Sequence, residues 1–567
     1  MRLGRLMVGL LLVSACSTPV APTQTSTPSP TEQPVRGSTL VHAITSEPTT
    51  LQPLLAPLAA GLALVDLVYA NLVMVDSTGL VKPWLAEWSI ADGGRTWEWS
   101  ILPEANWSDG KPITSEDVLT TLRAIGMSNR TTAKRFISVE GFADFGAGRS
   151  DTITGFVIDP KDPKRFTVRL TVSTCLNPLA IPPLPTHVFG KYLQPGAGDA
   201  FDRAPENDAP PISSGPFVLS EWRRGEHLHF VRNPVYVLGE PHLDAYTLKV
   251  LPVERWVQQL HSGAVHYAVI ASPLYGSLPS LEADPGLRIV RTEGSGYTLF
   301  GWNTESATAP ALRDRKVRQA LAYGFDTDLA RQQIVGLGQP ALSHHVPGHW
   351  AHPAGLNQYG YDPSRARQLL QEAGYVFGDG GFQERDGQVL SLVLETNGDN
   401  TARVRMLQLA VDLYQEIGVR VTPLVHPSFT QLLERGQRLG VTEGVITGFE
   451  LNPYLEGDPF VAWHSSQIPD PAANPPRIGN NLTHFRNTDV DRAIEAGRTG
   501  SDCSLEARRA RYQTVNRILN EEQPGFFGLT NVRIRAVSAR LRGYEPKIYG
   551  DFDVQTAHLW WLAPEAK

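Results

Sequence analysis

The sequence PWLAEWSIADGGRTWEWSILPEANWSDGKPITSEDV, residues 83–118, carries three consecutive local signals. Asp92-Gly93-Gly94 is a turn cluster, and the residues Thr96–Ile101 after it alternate between apolar and polar like a half-buried strand. A second turn precedes Thr114, which is placed to cap a helix while Asp117, three residues later, bonds back to it. The stretch therefore predicts a hairpin followed by a capped helix.

The order of these elements, PWLAEW, a DGG turn and a helix start in WSDGKPITSEDV, resembles the family 5 extracytoplasmic solute-binding proteins. These proteins are the dipeptide and oligopeptide receptors of ABC importers. Further blocks resemble the family in the same order along the chain: 39–53 with Gln52 where Asp is usual, 183–188, 214–244, 302–304, 312–326, 361–375 and 458–492. Because many separated blocks agree collinearly, the chain is identified as a member of this family.

The resemblance implies an α/β protein with the two-lobed periplasmic-binding-protein fold, type II, of the large class with an extra subdomain. We expect lobe I at 39–296 and 528–567, its subdomain near 70–211, and lobe II at 297–527. Two crossing strands join the lobes, and a solvent-filled cleft lies between them. A ligand that contacts both lobes stabilises the closed form.

Local signals also predict four helices, at 317–324, 363–373, 402–417 and 505–520. The chain of 567 residues is 41% hydrophobic and has a net charge of −7. It is therefore long and apolar enough for several cores, and it has no basic surplus for nucleic acid. We expect no nucleic-acid partner.

The N-terminus resembles a bacterial lipoprotein signal. Arg2 and Arg5 precede a short apolar run, and the small residues before Cys16 form a cleavage context. We expect residues 1–16 to be a signal peptide whose Cys16 receives the lipid; a plain signal peptide with an incidental Cys16 is the alternative. Residues 17–38 are rich in Thr, Pro and Ser, which predicts a disordered tether.

The sequence contains no HExxH, CxxC, GxxxxGK[ST] or GxSxG motif, so we expect no enzyme, no cofactor and no metal. The nearest metal-like cluster is His344, His345, His349 and His352. Pro347 and Gly348 interrupt it, and no cysteine or paired acid accompanies it, so we expect a surface or cleft-rim loop. Zinc or nickel binding is the alternative.

Two cysteines remain besides Cys16, namely Cys175 and Cys503. They could pair in an oxidising compartment. The expected lobe boundaries, however, place Cys175 in the subdomain and Cys503 in the opposite lobe, where a bridge would lock the hinge. We expect two free thiols.

Aromatic side chains are the ligand candidates, because ring faces give large contact area at low entropy cost. By position in the family, four of them are expected at the cleft, with core packing as the alternative: Tyr297, Trp302, Trp350 and Phe449. The four tryptophans of the opening stretch are expected to be structural: Trp84, Trp88, Trp97 and Trp99.

The resemblance also has implications for the chemical class of the ligand. In the family's peptide receptors an aspartate three residues after an aromatic pairs with the peptide's α-ammonium, and this chain has Phe449 and then Asn452. A neutral amide cannot neutralise that charge. The ligand is therefore expected either to lack a free amine, as sugars and blocked peptides do, or to be held by Glu450 or Glu456.

The predicted function is that of a monomeric solute receptor, anchored by lipid to the outer face of the bacterial cytoplasmic membrane. It captures a small polar solute and hands it to the permease and ATPase subunits of an ABC importer. The family favours a peptide; an oligosaccharide or a metal chelate is the alternative. Other function classes left open are a sensor or chaperone on the same fold and an extracellular hydrolase.

Overall fold

The computed structural model describes residues 33–55, 64–131, 133–194, 197, 199–547 and 550–564. The predicted signal peptide, its Cys16 and most of the predicted tether lie outside these residues. Where the tether prediction ends, Arg36 forms an ion pair with Glu240, and the amide of Gly37 donates to the carbonyl of His242 at 3.0 Å. Across the described ranges, no helix is long and apolar enough to cross a membrane.

The predicted hairpin and capped helix are confirmed. Strand Ala86–Ala91 pairs antiparallel with Thr96–Ile101. Gly94 lies in the turn between them at a φ of 91°, and a Cβ there would lie 2.5 Å from the carbonyl oxygen of Thr174, so only glycine fits. The helix Ser115–Met127 follows, with the capping box between Thr114 and Asp117.

A mixed sheet of eleven strands runs through the molecule. Ten of its strands follow one another across the sheet in this order: Arg420–His426, Ser391–Asn397, Gly444–Phe449, Leu287–Trp302, Gly525–Ser538, Tyr267–Val269, Thr39–Ile44, Ala245–Val250, His227–Arg232 and Phe217–Arg223. Strand Leu337–Pro340 also pairs with Gly525–Ser538.

The described chain also forms several smaller sheets. The hairpin belongs to a four-stranded sheet completed by Arg165–Arg169 and Phe156–Ile158. The remaining strands form a three-stranded sheet and two isolated pairs: Val376–Phe377, Gln383–Arg385 and Gln388–Val389; Val73–Val75 with Val81–Pro83; and Leu541–Arg542 with Trp561–Leu562.

The α-helices of the described chain pack mostly on the large sheet and its flanks. The four helices predicted from local signals are confirmed at Arg315–Tyr323, Pro363–Glu372, Thr401–Glu416 and Leu505–Glu522. Besides these and Ser115–Met127, the helices are Phe142–Gly146, Thr186–Phe189, Trp256–His261, Leu278–Glu282, Thr327–Gln333, Phe429–Leu433, Phe460–Trp463 and Thr488–Thr499.

Two long strands, Leu287–Trp302 and Gly525–Ser538, lie at the centre of the sheet and pair antiparallel. We call them the hinge strands. At one end Arg288 lies opposite Val537, and at the other Gly301 lies opposite Gly525. They therefore carry the chain between the two halves of the molecule, and the predicted lobe boundaries at 297 and 528 fall within them.

Separate hydrophobic cores lie on the two sides of the hinge strands. On the side of Thr39–Ile44, called lobe I here, the core includes Trp84, Trp97 and Trp99, which confirms their structural role. On the side of Gly444–Phe449, called lobe II, one core surrounds Phe300, Trp302 and Tyr414, and another surrounds Tyr297, Trp463 and Val515. Separate cores on the two sides of a pair of connecting strands are the arrangement that permits hinge motion.

Candidate functional site

A cavity of about 210 Å³ lies between the two lobes. Lobe I contributes Pro53, Leu54, Val65, Asp66, Asn71, Thr131, Ala133, Ile137 and residues from 177–182, and lobe II contributes Asn452, Tyr454 and Leu455. Three larger depressions, of about 580, 570 and 480 Å³, are each lined by residues of one lobe alone. The interlobe cavity is the site that a solute held between the lobes would occupy.

The lobe II wall of the cavity is a turn that follows strand Gly444–Phe449. The side-chain oxygen of Asn452 accepts from the backbone N–H groups of Tyr454 and Leu455, at 3.0 and 3.3 Å, which fixes the turn. Tyr454 projects away from lobe II and packs against the cores of both lobes. This contact makes the turn a bridge across the cleft.

The lobe I wall contains one buried carboxyl group, that of Asp66, which is 5% exposed. Its Oδ2 accepts from Nε2 of Gln555 at 2.8 Å, and Nζ of Lys547 donates to Oε1 of the same glutamine at 2.8 Å. Burial raises the pKa of Asp66 to about 7 and lowers the pKa of Lys547 to about 8. The cavity thus borders a carboxyl group that ionises near neutral pH.

Two amide groups complete the polar lining. Within the described structure, Oδ1 of Asn71 and Nδ2 of Asn177 are buried without a hydrogen-bond partner, and both residues line the cavity. A buried polar group without a partner costs about 1–3 kcal/mol. A solute that supplies the missing donor and acceptor would recover that cost.

A second cavity, of about 200 Å³, lies between the lobes next to the first, and Asn177 lines both. Its wall includes the buried ion pair between Glu456 and Arg508. Glu456 also accepts from the backbone N–H of Val81 in lobe I at 3.3 Å. Glu456 therefore stabilises the contact between the lobes.

The predicted site residues are distributed over several environments. Asn452 lines the cavity. Phe449 is half-buried and stacks on the fully buried Tyr297, with ring centroids 5.9 Å apart, beside the turn. Glu450 is exposed and forms an ion pair with Arg533 at 3.3 Å.

The two predicted tryptophans lie elsewhere. Trp302 is 0% exposed in the core of lobe II, 6.4 Å from the ring of Tyr414, and lies away from the cleft because its strand end faces that core. Trp350 is buried at the seam between the lobes, where its backbone N–H donates to the carbonyl of Thr78 at 3.1 Å. Of the two, only Trp350 is part of the interlobe contact.

Of the two expectations for the histidine-rich segment, a surface or a cleft-rim loop, the surface alternative is wrong, whereas Trp350 of this segment does lie at the seam between the lobes. His344, His345 and His349 are buried, because the segment packs between helix Phe460–Trp463 and helix Leu505–Glu522 through contacts with Trp463 and Asn516. Burial lowers the pKa of His344 to about 4 and that of His349 to about 3, so both imidazoles are neutral.

The ring nitrogens of His344 are both occupied by protein partners. His344 accepts from Nε1 of Trp463 at 3.0 Å and contacts the carbonyl of Gly457 at 2.9 Å through its other nitrogen. No group of three or more His, Cys, Asp or Glu placed to hold a metal occurs among the residues that the structure describes.

Cys175 and Cys503 form a disulfide, so the expectation of free thiols is also wrong. The two lobes meet at this rim of the cleft, where the amide of Cys175 donates to the carbonyl of Arg498 at 2.5 Å. A separation of 328 residues along the chain gave no indication of this proximity.

Comparison with known proteins identifies the family. The model for bacterial extracellular solute-binding proteins, family 5 Middle, matches residues 81–466. The chain belongs to this family. Oligopeptide-binding protein AppA of Bacillus subtilis (strain 168) is 27% identical over 570 residues, covering 99% of this chain and 98% of its own length.

Solved structures of family members share the fold. The structure of AppA from Bacillus subtilis in complex with a nonapeptide aligns with a TM-score of 0.63 at 24% identity, covering 94% of this chain and 100% of that chain. HbpA2 from Haemophilus parasuis aligns with a TM-score of 0.74 at 18% identity, covering 93% of this chain and 100% of that chain. These similarities confirm the predicted two-lobed α/β fold.

Sequence reasoning missed the lobe I wall of the cavity. Residues 64–75, LVDLVYANLVMV, contain one acid and one amide among apolar residues, Asp66 and Asn71. A lone acid in an apolar run is a signal, since buried carboxyl groups need a partner or a function. Asn177 carried no comparable signal, because its role depends on which residues of lobe II face it.

Proposed function

We propose that this protein is the solute-binding receptor of an ABC importer. It captures a small solute in the cavity between its lobes and delivers it to the permease and ATPase subunits. The observation that carries this proposal is the interlobe cavity itself, walled by residues from 53–54, 65–71 and 177–182 of lobe I and by the turn 452–455 of lobe II.

The geometry supports capture by closure. A solute in this cavity touches both lobes at once, which only the closed form allows, so binding favours closure about the hinge strands. Tyr454 and Glu456 join the two lobes in the described structure. Release to a permease then requires these contacts to separate.

A peptide-like solute is the ligand class we favour. AppA, which matches this chain over almost its whole length, is an oligopeptide-binding protein. The described cavity, at about 210 Å³, is smaller than the roughly 300–1,000 Å³ typical of sites for drug-sized ligands. This volume favours a short peptide or a single modified amino acid over a long chain.

Anchoring by lipid at Cys16 completes the proposal. A signal peptide over residues 1–16 and a tether rich in Thr, Pro and Ser over residues 17–38 would hold the folded body near a membrane partner. Two or more acyl chains hold a protein stably on a bilayer where a single chain does not. The ordered body begins close to the ion pair between Arg36 and Glu240.

Mass spectrometry of the small molecules released from purified protein by denaturation tests the receptor function. We expect one defined solute. Adding it back at a hundredfold excess over its dissociation constant should stabilise the protein by about 2.7 kcal/mol and leave the solute chemically unchanged. A chemically altered solute after incubation with clean protein would contradict the receptor function and favour an enzyme.

A further inference from the structure

The two acids of lobe II that are candidates for ligand recognition form ion pairs with residues of lobe II or of the hinge strands. Glu450 forms an ion pair with Arg533 at 3.3 Å, and Glu456 is paired with Arg508 in a buried position. Asn452 is neutral, and its side-chain oxygen already accepts from two backbone N–H groups. None of these three residues offers a free negative charge to a solute.

Lobe I supplies that charge instead. Asp66 is the only acidic or basic side chain among the described residues that line the cavity. Asn71, five residues later, brings a buried carbonyl oxygen without a partner in the described structure to the same wall. A primary ammonium group carries three N–H donors, and a carboxylate together with an amide oxygen is a suitable set of acceptors for it.

The rest of the cavity fits the remainder of such a solute. Nδ2 of Asn177 is a buried donor without a partner in the described structure, so it is available to a carbonyl or carboxylate oxygen. The side chains of Leu54, Val65, Ile181 and Leu455 give apolar walls. The lining therefore matches an ammonium group, an oxygen acceptor and an apolar body in one small molecule.

We propose that Asp66 is the counter-charge for the ammonium group of the solute, with Asn71 as a second acceptor and Asn177 as the donor to its carbonyl. The cleft accordingly takes a short, free-amine compound with an apolar body, such as a small peptide or an amino-acid derivative. This inference rests on the proposed receptor function and specifies its ligand class.

The groups that face Asp66 set the pH range of this recognition. Lys547, Tyr236 and Tyr454 interact with it electrostatically, and Gln555 holds one of its oxygens at 2.8 Å. Because burial raises the pKa of Asp66 to about 7, the carboxyl group is neutral in acid and matches an ammonium only once it ionises. Affinity for the amine should rise through about pH 7 and fall above about pH 8, where α-amino groups lose their proton.

Calorimetric titration with leucylglycine and N-acetyl-leucylglycine tests the proposal. Wild type should bind the free-amine peptide at least about 30-fold more tightly than the acetylated one, as expected when a buried charge has its partner. Asp66→Asn keeps the shape of the side chain and should abolish this preference. The matched control Asp412→Asn alters an exposed aspartate on helix Thr401–Glu416 and should retain it.

Melting curves and the affinity for N-acetyl-leucylglycine verify that Asp66→Asn is folded. If that variant fails to fold, two other measurements decide whether the proposal holds. Asn71→Leu should weaken leucylglycine binding several-fold, and the affinity of wild type for leucylglycine should follow the pH dependence given above. Unchanged preference for leucylglycine in Asp66→Asn, or no preference in wild type, would overturn the proposal. In that case a different solute released from wild type on denaturation would still support the receptor function.

Discussion

Cys175 of lobe I and Cys503 of lobe II are joined by a disulfide that spans the rim of the cleft, with their Cα atoms 5.0 Å apart. A disulfide holds its two Cα atoms within roughly 7 Å of each other. While the bond is intact, the lobes cannot part at this rim, and the hinge strands are no longer the only connection between them. The disulfide therefore restricts the opening through which a solute enters and leaves.

We expect reduction of the disulfide, or Cys503→Ser, to accelerate solute release at least about tenfold. Stopped-flow exchange of a bound solute measures this, and Cys175→Ser should accelerate release to the same extent, because it removes the same bond from the other side. The bond also closes a long loop, so its loss should lower the free energy of unfolding by about 2–5 kcal/mol. Equal release rates for oxidised and reduced protein would show that the rim does not limit opening.

The buried ion pair between Glu456 and Arg508 should be essential to stability. Glu456→Gln leaves the buried guanidinium without its counter-charge, which should cost about 3–5 kcal/mol in thermal or chemical unfolding. Glu434→Gln is the matched control, since Glu434 pairs with Arg438 on the surface and should contribute less than about 1 kcal/mol. If Glu456→Gln and Glu434→Gln lowered the free energy of unfolding by similar amounts, the buried ion pair would not be essential to stability.

The buried histidines predict how stability depends on pH. The pKa of His349 is lowered to about 3 in the folded protein, so between pH 6.5 and about 4 the unfolded chain binds a proton that the folded chain does not. Stability is therefore lost as pH falls through this range, by about 1.4 kcal/mol per pH unit for this group. His349→Asn should flatten the fall in unfolding free energy measured against pH; an unchanged slope would contradict the burial of a neutral imidazole.

Lipid attachment at Cys16 has a separate test. Cys16→Ser should leave an uncleaved or soluble product and move the protein out of the membrane fraction, because lipid is added through the cysteine sulfur. Fractionation of cells with metabolic labelling of lipoproteins measures both effects. Persistent membrane association together with lipid labelling in the variant would exclude Cys16 as the attachment site.

Features that depend only on residues close together in the sequence could be predicted. The turn at Gly94, the alternation of Thr96–Ile101 and the capping box at Thr114 are local, so the hairpin and helix could be predicted. The expectation that Asn452 lies at the cleft came from the family resemblance, and Asn452 lines the interlobe cavity.

Features that depend on contact between the lobes could not be predicted. Cys175 and Cys503 are 328 residues apart in the sequence and meet only where the two lobes come into contact. His345 is polar and follows no helical pattern, yet it is buried because Asn516 of a distant helix provides its partners. Asp66 lies next to the turn at Asn452 only in the folded chain.

Binding between the lobes is tested most directly by calorimetric titration of the released solute into solute-free, reduced protein carrying Leu455→Trp. Leu455 lines the interlobe cavity, so the larger indole should fill it and weaken binding by at least about 100-fold relative to wild type. Leu439→Trp, at a residue 44% exposed and outside the cavity, should bind like wild type. Wild-type affinity in a folded Leu455→Trp protein would contradict the assignment of the interlobe cavity as the solute site.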